Sequence, residues 1–239
     1  MKTRSLTLLL LAGATLAFAA QDSWTLARKA EVGDTYTYSQ KVVLKAEDGE
    51  VEITSKLSEK ITKVDKDGIT SRVTEKMLKF KGGGEEIDLT DQPDTETITE
   101  SVVDHQGVGL SSKSVADGKE EDADEDQNRA GNLTSFIFPE KPVQKGLSWT
   151  HEYESSKKRG TPSARMTFEA VGAESYNDKD CVKVKFVGKE LEGDKPISIE
   201  GNLLVRLSDG MVVRFEAEVK NYPLEGEPID VSVLIQMEK

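Results

Sequence analysis

The sequence has few cysteines and histidines, the residues that often serve as nucleophiles, general bases or metal ligands. It has one cysteine, Cys181, and two histidines, His105 and His151, in 239 residues. A single cysteine excludes a disulfide within the chain, and its place in an alternating apolar run predicts a small buried residue rather than a reactive thiol. Zinc sites and nucleophilic triads usually draw on histidine, and neither histidine has a second metal-binding or nucleophilic motif beside it. We therefore predict no catalytic residue, no metal ligand and no cofactor.

Other functional signatures are also missing. The sequence contains neither a G-x-S-x-G nucleophile elbow nor a G-x-x-x-x-G-K-[ST] phosphate loop. Aromatic residues make up 6% of the chain, so the stacking platforms of single-strand nucleic-acid grooves are not indicated. With 44 acidic residues, any carboxylate pair could be nominated for glycoside hydrolysis, and abundance removes the information from such a choice.

The one long apolar run lies at the N-terminus. Lys2 and Arg4 precede a stretch of about fifteen apolar residues, which ends at Ala17-Phe18-Ala19. This pattern predicts a secretory signal peptide at residues 1–19, because a spanning helix needs roughly 20 apolar residues. Ala14 stands where a lipoprotein would carry its cysteine, so we expect no stable membrane anchor after cleavage. The remaining chain, with 30 basic and 44 acidic residues and a net charge of −14, would repel nucleic acid.

Alternating apolar and polar residues dominate the rest of the chain and predict half-buried strands. The expected class is all-β and antiparallel, as an open barrel or half-barrel, with a two-sheet sandwich as the alternative. Short helices are expected near 23–30 and around 127–136. The eleven expected strands are near 35–46, 50–64, 68–80, 95–103, 107–115, 147–156, 163–175, 181–191, 196–207, 211–221 and 228–238.

A shift of 113 residues relates two parts of the chain. It places Gly33 on Gly146 and 65–67, DKD, on 178–180, DKD, without a gap, and seven of 42 aligned pairs are identical. We interpret this as a duplicated unit, because chance would give roughly two or three identities. Each D-x-D lies between two strand patterns, so it predicts a hairpin turn. A calcium loop would need ligands at other positions, and Lys76 would stand where that loop carries its glutamate.

Between the two units lies a strongly acidic segment. Six carboxylates fall within the seven residues 120–126. Because like charges repel and resist compact folding, the segment is expected to be a linker or a long loop. The predicted organisation is therefore a signal peptide at 1–19, a first β-unit at 20–116, an acidic linker or loop at 117–135 and a second β-unit at 136–239.

These features resemble two kinds of known protein. Three features resemble those of uncharacterised exported bacterial β-proteins. They are the strand starts at 33–37, GDTYT, and 146–150, GLSWT, the D-x-D turns, and the segment before the second unit at 138–143, FPEKPV. That resemblance brings no catalytic residues. The strand count is similar to that of the open half-barrel of periplasmic lipoprotein carriers, although no lid helices are evident. This second resemblance implies an apolar concave face that holds acyl chains.

Three functions follow as hypotheses. The first is a non-enzymatic protein, periplasmic or secreted, that acts as a binding or structural component of the envelope through an unknown protein or hydrophobic ligand. The second is a carrier of a lipid or other hydrophobic ligand in a half-barrel cavity. The third is an envelope hydrolase with unidentified acidic residues. A sheet with one apolar face must cover it, by internal packing or by a ligand, and this difference separates the first two hypotheses.

Overall fold

The computed structural model describes residues 23–46, 49–92, 95–116, 119–224 and 227–238. The predicted signal peptide at 1–19 lies outside these ranges and stays a prediction. The described chain forms fifteen strands and one helix. In chain order these are β1 (Ser23–Trp24), β2 (Thr35–Ala46), β3 (Gly49–Val64), β4 (Ile69–Gly82), β5 (Glu85–Asp88), β6 (Glu96–Val103), β7 (Gly109–Ala116), β8 (Lys119–Asp122), α1 (Glu125–Thr134), β9 (Val143–Gln144), β10 (Ser148–Tyr153), β11 (Ala164–Tyr176), β12 (Lys179–Glu190), β13 (Ser198–Arg206), β14 (Val212–Leu224) and β15 (Glu227–Met237).

The prediction of an all-β fold with eleven main strands is confirmed. Each predicted strand overlaps one of the longer strands, and the four additional ones, β1, β5, β8 and β9, are two to four residues long. Strands this short carry too few residues to show an alternating pattern, which is why the sequence does not reveal them.

Thirteen strands form one antiparallel sheet. Its order is β10-β11-β12-β13-β14-β15-β2-β3-β4-β6-β7-β8, and β5 pairs with β4 outside this path. Strands β10 and β8 lie at opposite ends of the path, so the sheet is open, as the half-barrel prediction requires. The two-sheet sandwich does not form, since the second sheet is only the short pair β1-β9. The strands of the two predicted units share one sheet, joined where β15 pairs with β2.

Both D-x-D sequences lie at hairpin turns. Asp65 lies between β3 and β4, where its Oδ1 atom accepts hydrogen bonds from the amides of Asp67 at 2.8 Å and Gly68 at 3.2 Å. Asp178 lies between β11 and β12, and both it and Asn177 have positive φ, as a two-residue hairpin loop requires. The aspartates therefore shape turns. The duplication itself stays a prediction.

The hydrophobic core belongs mainly to one half of the sheet. The buried strand residues of the large core cluster lie in β9–β15 and β1, and β2 adds only the partly buried Val42 and Leu44 to it. Tyr38, Ile61 and Ile69 of β2, β3 and β4 are buried outside this cluster. Phe168, Phe186 and Phe215 form a row across β11, β12 and β14, with ring centroids 6.4 and 5.2 Å apart. The other half of the sheet is consequently less completely covered on its apolar face.

The prediction of a short helix near 23–30 is wrong, because this segment is extended. Ser23 and Trp24 pair with Gln144 and Val143 as strand β1, and Trp24 and Leu26 are buried. Burial of alternate residues is the pattern of an extended chain, and contact with the core outweighs the capping potential of Ser23.

Helix α1 lies within the acidic segment at 117–135, which also contains β8, and it confirms the expected helix around 127–136 apart from the exact ends. Its capping residue is Asp124, whose carboxylate accepts from the backbone amide of Gln127 at 2.8 Å, and the side-chain oxygen of Gln127 accepts from the backbone amide of Asp124 at 3.2 Å. Glu125 and Asp126 occupy the first turn, where negative charge is favourable because of the helix dipole. The clustered carboxylates thus support a helix start.

Candidate functional site

A layer of chain covers the concave face of the sheet at β10–β15. It consists of α1 and the segment after it, where Leu133 and residues 136–138, FIF, are buried in the core. The Phe136 ring packs edge-on against Phe168 of β11 at 5.5 Å. The indole nitrogen of Trp149 donates to the Ile137 carbonyl oxygen at 2.8 Å, so the layer is also hydrogen-bonded to edge strand β10.

Polar contacts hold α1 in place. Arg129 donates two hydrogen bonds of 2.8 Å to the Glu190 carboxylate, from Nε to Oε1 and from Nη2 to Oε2. Glu190 is 2% exposed and also accepts from the Ile197 amide at 2.7 Å. The hydrogen bond from Arg129 to Glu190 is the main cause that raises the pKa of Arg129. Asn128, on the same helix, is bound by the Arg159 guanidinium at 3.2 and 3.3 Å.

The N-terminal segment 23–34, here called the strap, forms a second cover. After β1 it runs to the β13–β14 turn, where the Lys29 amide donates to the Asp209 carbonyl oxygen at 2.8 Å. Gly210 has φ 73°, and a Cβ there would lie 2.2 Å from the carbonyl oxygen of Ala27. Asp209 and Gly210 thus lie in the turn between β13 and β14, and the glycine lets the strap approach that turn.

A cavity of about 450 Å³ remains between the sheet, the strap and the layer after α1. Pockets that hold small molecules measure roughly 300–1,000 Å³, so this volume suits a ligand. Its floor comes from β2, β3, β4, β6, β14 and β15, and its rim from the strap, the β13–β14 turn and the segment 134–138. The apolar side chains that line it are Leu57, Val73, Val103, Phe136, Phe138, Met211, Val212, Phe215, Val233 and Ile235.

One ion pair lies in the cavity wall. Arg28 of the strap donates from Nη2 to Oε1 of Glu59 at 2.7 Å, with 17% and 14% of the two side chains exposed. The Arg28 Nε atom is buried and has no hydrogen-bond partner among the described residues. Tyr38 lines the cavity too, and its pKa is raised by burial and by the charge of Glu59, with Arg28 acting in the opposite direction.

Asp209 and Asp34, two acids that act on Tyr36 together with Arg28, already have hydrogen-bond partners. Arg206 makes contacts of 2.6–3.1 Å with the Asp209 carboxylate. Burial is the largest single influence and opposes ionisation of Asp209, but the hydrogen bonds from Arg206 and the Met211 amide, together with the charge of Arg206, outweigh it and lower the pKa of Asp209. Asp34 accepts from the Tyr36 hydroxyl at 3.1 Å and from the Glu31 amide at 2.8 Å. Burial, helped by Asp34, raises the pKa of Tyr36 to about 12.

The residues singled out in the sequence lie away from the cavity lining. Cys181 is buried, as expected, and burial raises the pKa of its thiol. His105 is exposed in a turn, where its Nε2 donates to the Asp65 carbonyl oxygen at 2.7 Å. His151 packs its ring 4.5 Å from Tyr153. Across the described ranges no cluster of three or more His, Cys, Asp or Glu residues has a metal-binding arrangement.

Sequence analysis missed the cavity and its ion pair. Arg28 lies in the segment 23–30, for which the sequence predicts a short helix, and Glu59 is one acid among 44. The pair joins residues 31 positions apart, so no local spacing reveals it. A usable signal was the alternation in β3, which places Leu57 and Glu59 on the same face and thus sets a charge on an otherwise apolar stripe.

Comparison with known proteins gives two similar solved structures. A protein from Bacteroides fragilis assigned as exported, with a YmcC-like fold, is 14% identical, with a TM-score of 0.37 over 90% of this chain and 100% of that one. A domain from Vibrio parahaemolyticus assigned as an outer membrane lipoprotein-sorting protein is 10% identical, with a TM-score of 0.32 over 89% of this chain and 86% of that one. Both kinds of protein named by the sequence resemblance thus occur among the matches.

The chain matches no protein-family model and no curated protein sequence. In the ranges that the structure covers, no helix has both the length and the apolar character needed to cross a membrane.

Proposed function

We propose that this chain is an exported, non-enzymatic β-protein, periplasmic or secreted, that binds and carries a hydrophobic molecule in the cavity on the concave face of its sheet. The supporting observation is the cavity of about 450 Å³ with its predominantly apolar lining. An apolar face left uncovered by protein costs free energy in water, and an apolar ligand removes that cost. The predicted signal peptide at 1–19 supports export.

The geometry favours a carrier over a purely structural component. In the half built from β10–β15, the protein supplies its own cover through α1 and residues 136–138. At β2, β3 and β4 the cover is incomplete, and the side chains of Leu57 and Val73 border open space instead of a packed neighbour. A structural component would gain stability from filling this space, whereas a carrier needs it.

The first experiment is extraction of the protein purified from its native envelope with organic solvent, followed by mass spectrometry. The carrier function predicts release of a lipid or other apolar molecule in stoichiometric amount. A structural component with an internally packed face predicts no such release.

The second experiment fills the cavity. In Val73→Phe the added ring occupies space that the ligand needs, so the affinity for an apolar fluorescent probe should fall at least about tenfold. Val187→Phe is the matched control, because Val187 is 46% exposed on β12, and it should bind the probe as the unmodified protein does. Equal probe affinity of Val73→Phe and the control would contradict the proposed site.

A further inference from the structure

The ion pair in the cavity wall carries information about the ligand. Arginine has five N–H donors in a planar fork, and a carboxylate bound through one oxygen uses few of them. Among the described residues, the one hydrogen bond of the Arg28 guanidinium goes from Nη2 to Glu59. Its Nε atom is buried without a partner. Arg28 lines the cavity and 17% of its side chain is exposed, so an acceptor in the cavity can reach guanidinium donors that Glu59 leaves unused.

Asp209 and Asp34 do not compete for these donors, whereas Glu59 takes one of them. Asp209 is held by Arg206, and Asp34 by Tyr36 and a backbone amide. The Glu59 carboxylate is already neutralised by Arg28 itself. Glu59 offsets the charge of Arg28 in the same way, so the unused hydrogen-bonding capacity at this wall consists of guanidinium donors, which bind a carboxylate or phosphate oxygen and cannot bind a cation.

The apolar residues lie next to this polar wall. Leu57 is two residues from Glu59 on β3 and shares its face, and Val73 pairs directly with Glu59 across β3 and β4. A molecule that placed an apolar tail against Leu57, Val73 and the phenylalanines of the cover would bring its end group to Arg28. The site thus combines an apolar part with a hydrogen-bonding end, which matches the apolar tail and polar head group of an amphiphile.

We infer that the cavity selects an amphiphile with a carboxylate or phosphate head group, whose oxygen accepts hydrogen bonds from Arg28 while the tail fills the apolar part. This inference rests on the proposed function and specifies its ligand class. Arg28 lies on the strap beside the β13–β14 turn, so head-group binding joins the strap, the sheet and the ligand.

The test compares three ligands that share a twelve-carbon tail: dodecanoate, dodecanol and dodecyltrimethylammonium. Their affinities for the delipidated protein are measured by competition with a fluorescent reporter. Each displaces an apolar fluorescent probe below its micelle-forming concentration. Dodecanoate should bind about tenfold or more tightly than dodecanol, because charge-assisted hydrogen bonds are the stronger ones. Dodecyl phosphate in a fourth arm shows whether a phosphate is taken as readily as a carboxylate.

Variants assign the preference to Arg28. Arg28→Gln should reduce the ratio of dodecanoate to dodecanol affinity to about one while dodecanol still binds, and Arg28→Lys should give an intermediate ratio because the charge remains without the fork. Glu59→Gln should raise the preference for dodecanoate, since it removes the competing carboxylate. Arg214→Gln is the control, because Arg214 forms an exposed pair with Glu216, and it should leave the ratio unchanged.

The outcomes separate the two proposals. Equal affinity for dodecanoate and dodecanol, or a preference for the cationic probe, overturns the head-group inference and leaves the carrier function standing. If neither the twelve-carbon ligands nor the apolar fluorescent probe bind, the carrier function itself is overturned, and the head-group inference falls with it.

Discussion

Arg129 of α1 and Glu190 at the end of β12 form a two-armed ion pair with both N–O distances at 2.8 Å, although they are 61 residues apart. The carboxylate is almost completely buried, and Arg129 and the Ile197 amide supply its hydrogen bonds. Helix α1 carries the layer that covers the core. The pair therefore fixes the cover to the sheet.

Arg129→Ala should lower the free energy of unfolding by about 3–5 kcal/mol, because it leaves a buried carboxylate without compensation. Urea denaturation measures this change. The double variant Arg129→Met, Glu190→Leu should cost less than Arg129→Ala, since it removes the buried charge as well. Arg214→Ala breaks an exposed pair with Glu216 and should change stability by at most about 1 kcal/mol. Similar losses for Arg129→Ala and Arg214→Ala would contradict this account.

Two glycines offer a matched pair of substitutions. A Cβ on Gly201 would lie 2.1 Å from the Glu216 carbonyl oxygen and 2.9 Å from the Phe186 ring, whereas a Cβ on Gly109 would meet nothing within 4 Å. We expect Gly201→Ala to destabilise the protein by about 1–3 kcal/mol through overpacking in the sheet. Gly109→Ala should stay within about 0.5 kcal/mol of the unmodified protein. Thermal and urea unfolding of both variants decide the point.

The Asp65 turn can be tested for calcium. If the carboxylate only shapes the turn, millimolar Ca²⁺ should leave the melting temperature unchanged, whereas a metal loop would be stabilised by binding. Asp65→Asn keeps an oxygen acceptor for the amides of Asp67 and Gly68 and should unfold close to the unmodified protein. Asp65→Ala removes that acceptor and should unfold at a lower temperature. A calcium-dependent rise abolished by Asp65→Asn would contradict the turn interpretation.

His151 should make stability depend on pH. Burial lowers its pKa, with Asp104 opposing in part, so the unfolded chain takes up the proton first as the pH falls. Stability is then unaffected above the unfolded pKa of about 6.5, declines as the pH falls through that value and levels off below the folded pKa. Denaturation between about pH 7.5 and 5.5 should show this decline, and His151→Asn should reduce it. His105→Asn, at an exposed turn, should leave the decline in place.

The strands could be predicted from the sequence because each long strand carries its own alternating pattern. Helix α1 could be located only approximately, since its acidic first turn also suits a loop. The strap could not be predicted, because Trp24 and Leu26 acquire their environment only from contact with β9 and the core. The cavity exists because no other part of the described chain packs over Leu57 and Val73. The two residues themselves give no sign of this, because the same apolar side chains would suit a packed core. The ion pair of Arg28 with Glu59 requires the strap to be placed first.

The pairing of β15 with β2 has a consequence for how the protein is made. Residues Tyr38 to Lys45 on β2 find their partners among Asp230 to Met237, at the far end of the chain. Synthesis proceeds from the N-terminus, so β2 offers an unpaired backbone edge until β15 has emerged. The two halves of the sheet can therefore join through β2 and β15 only after β15 has been made. A chain truncated before β15 would leave that seam open and prone to pair with another molecule.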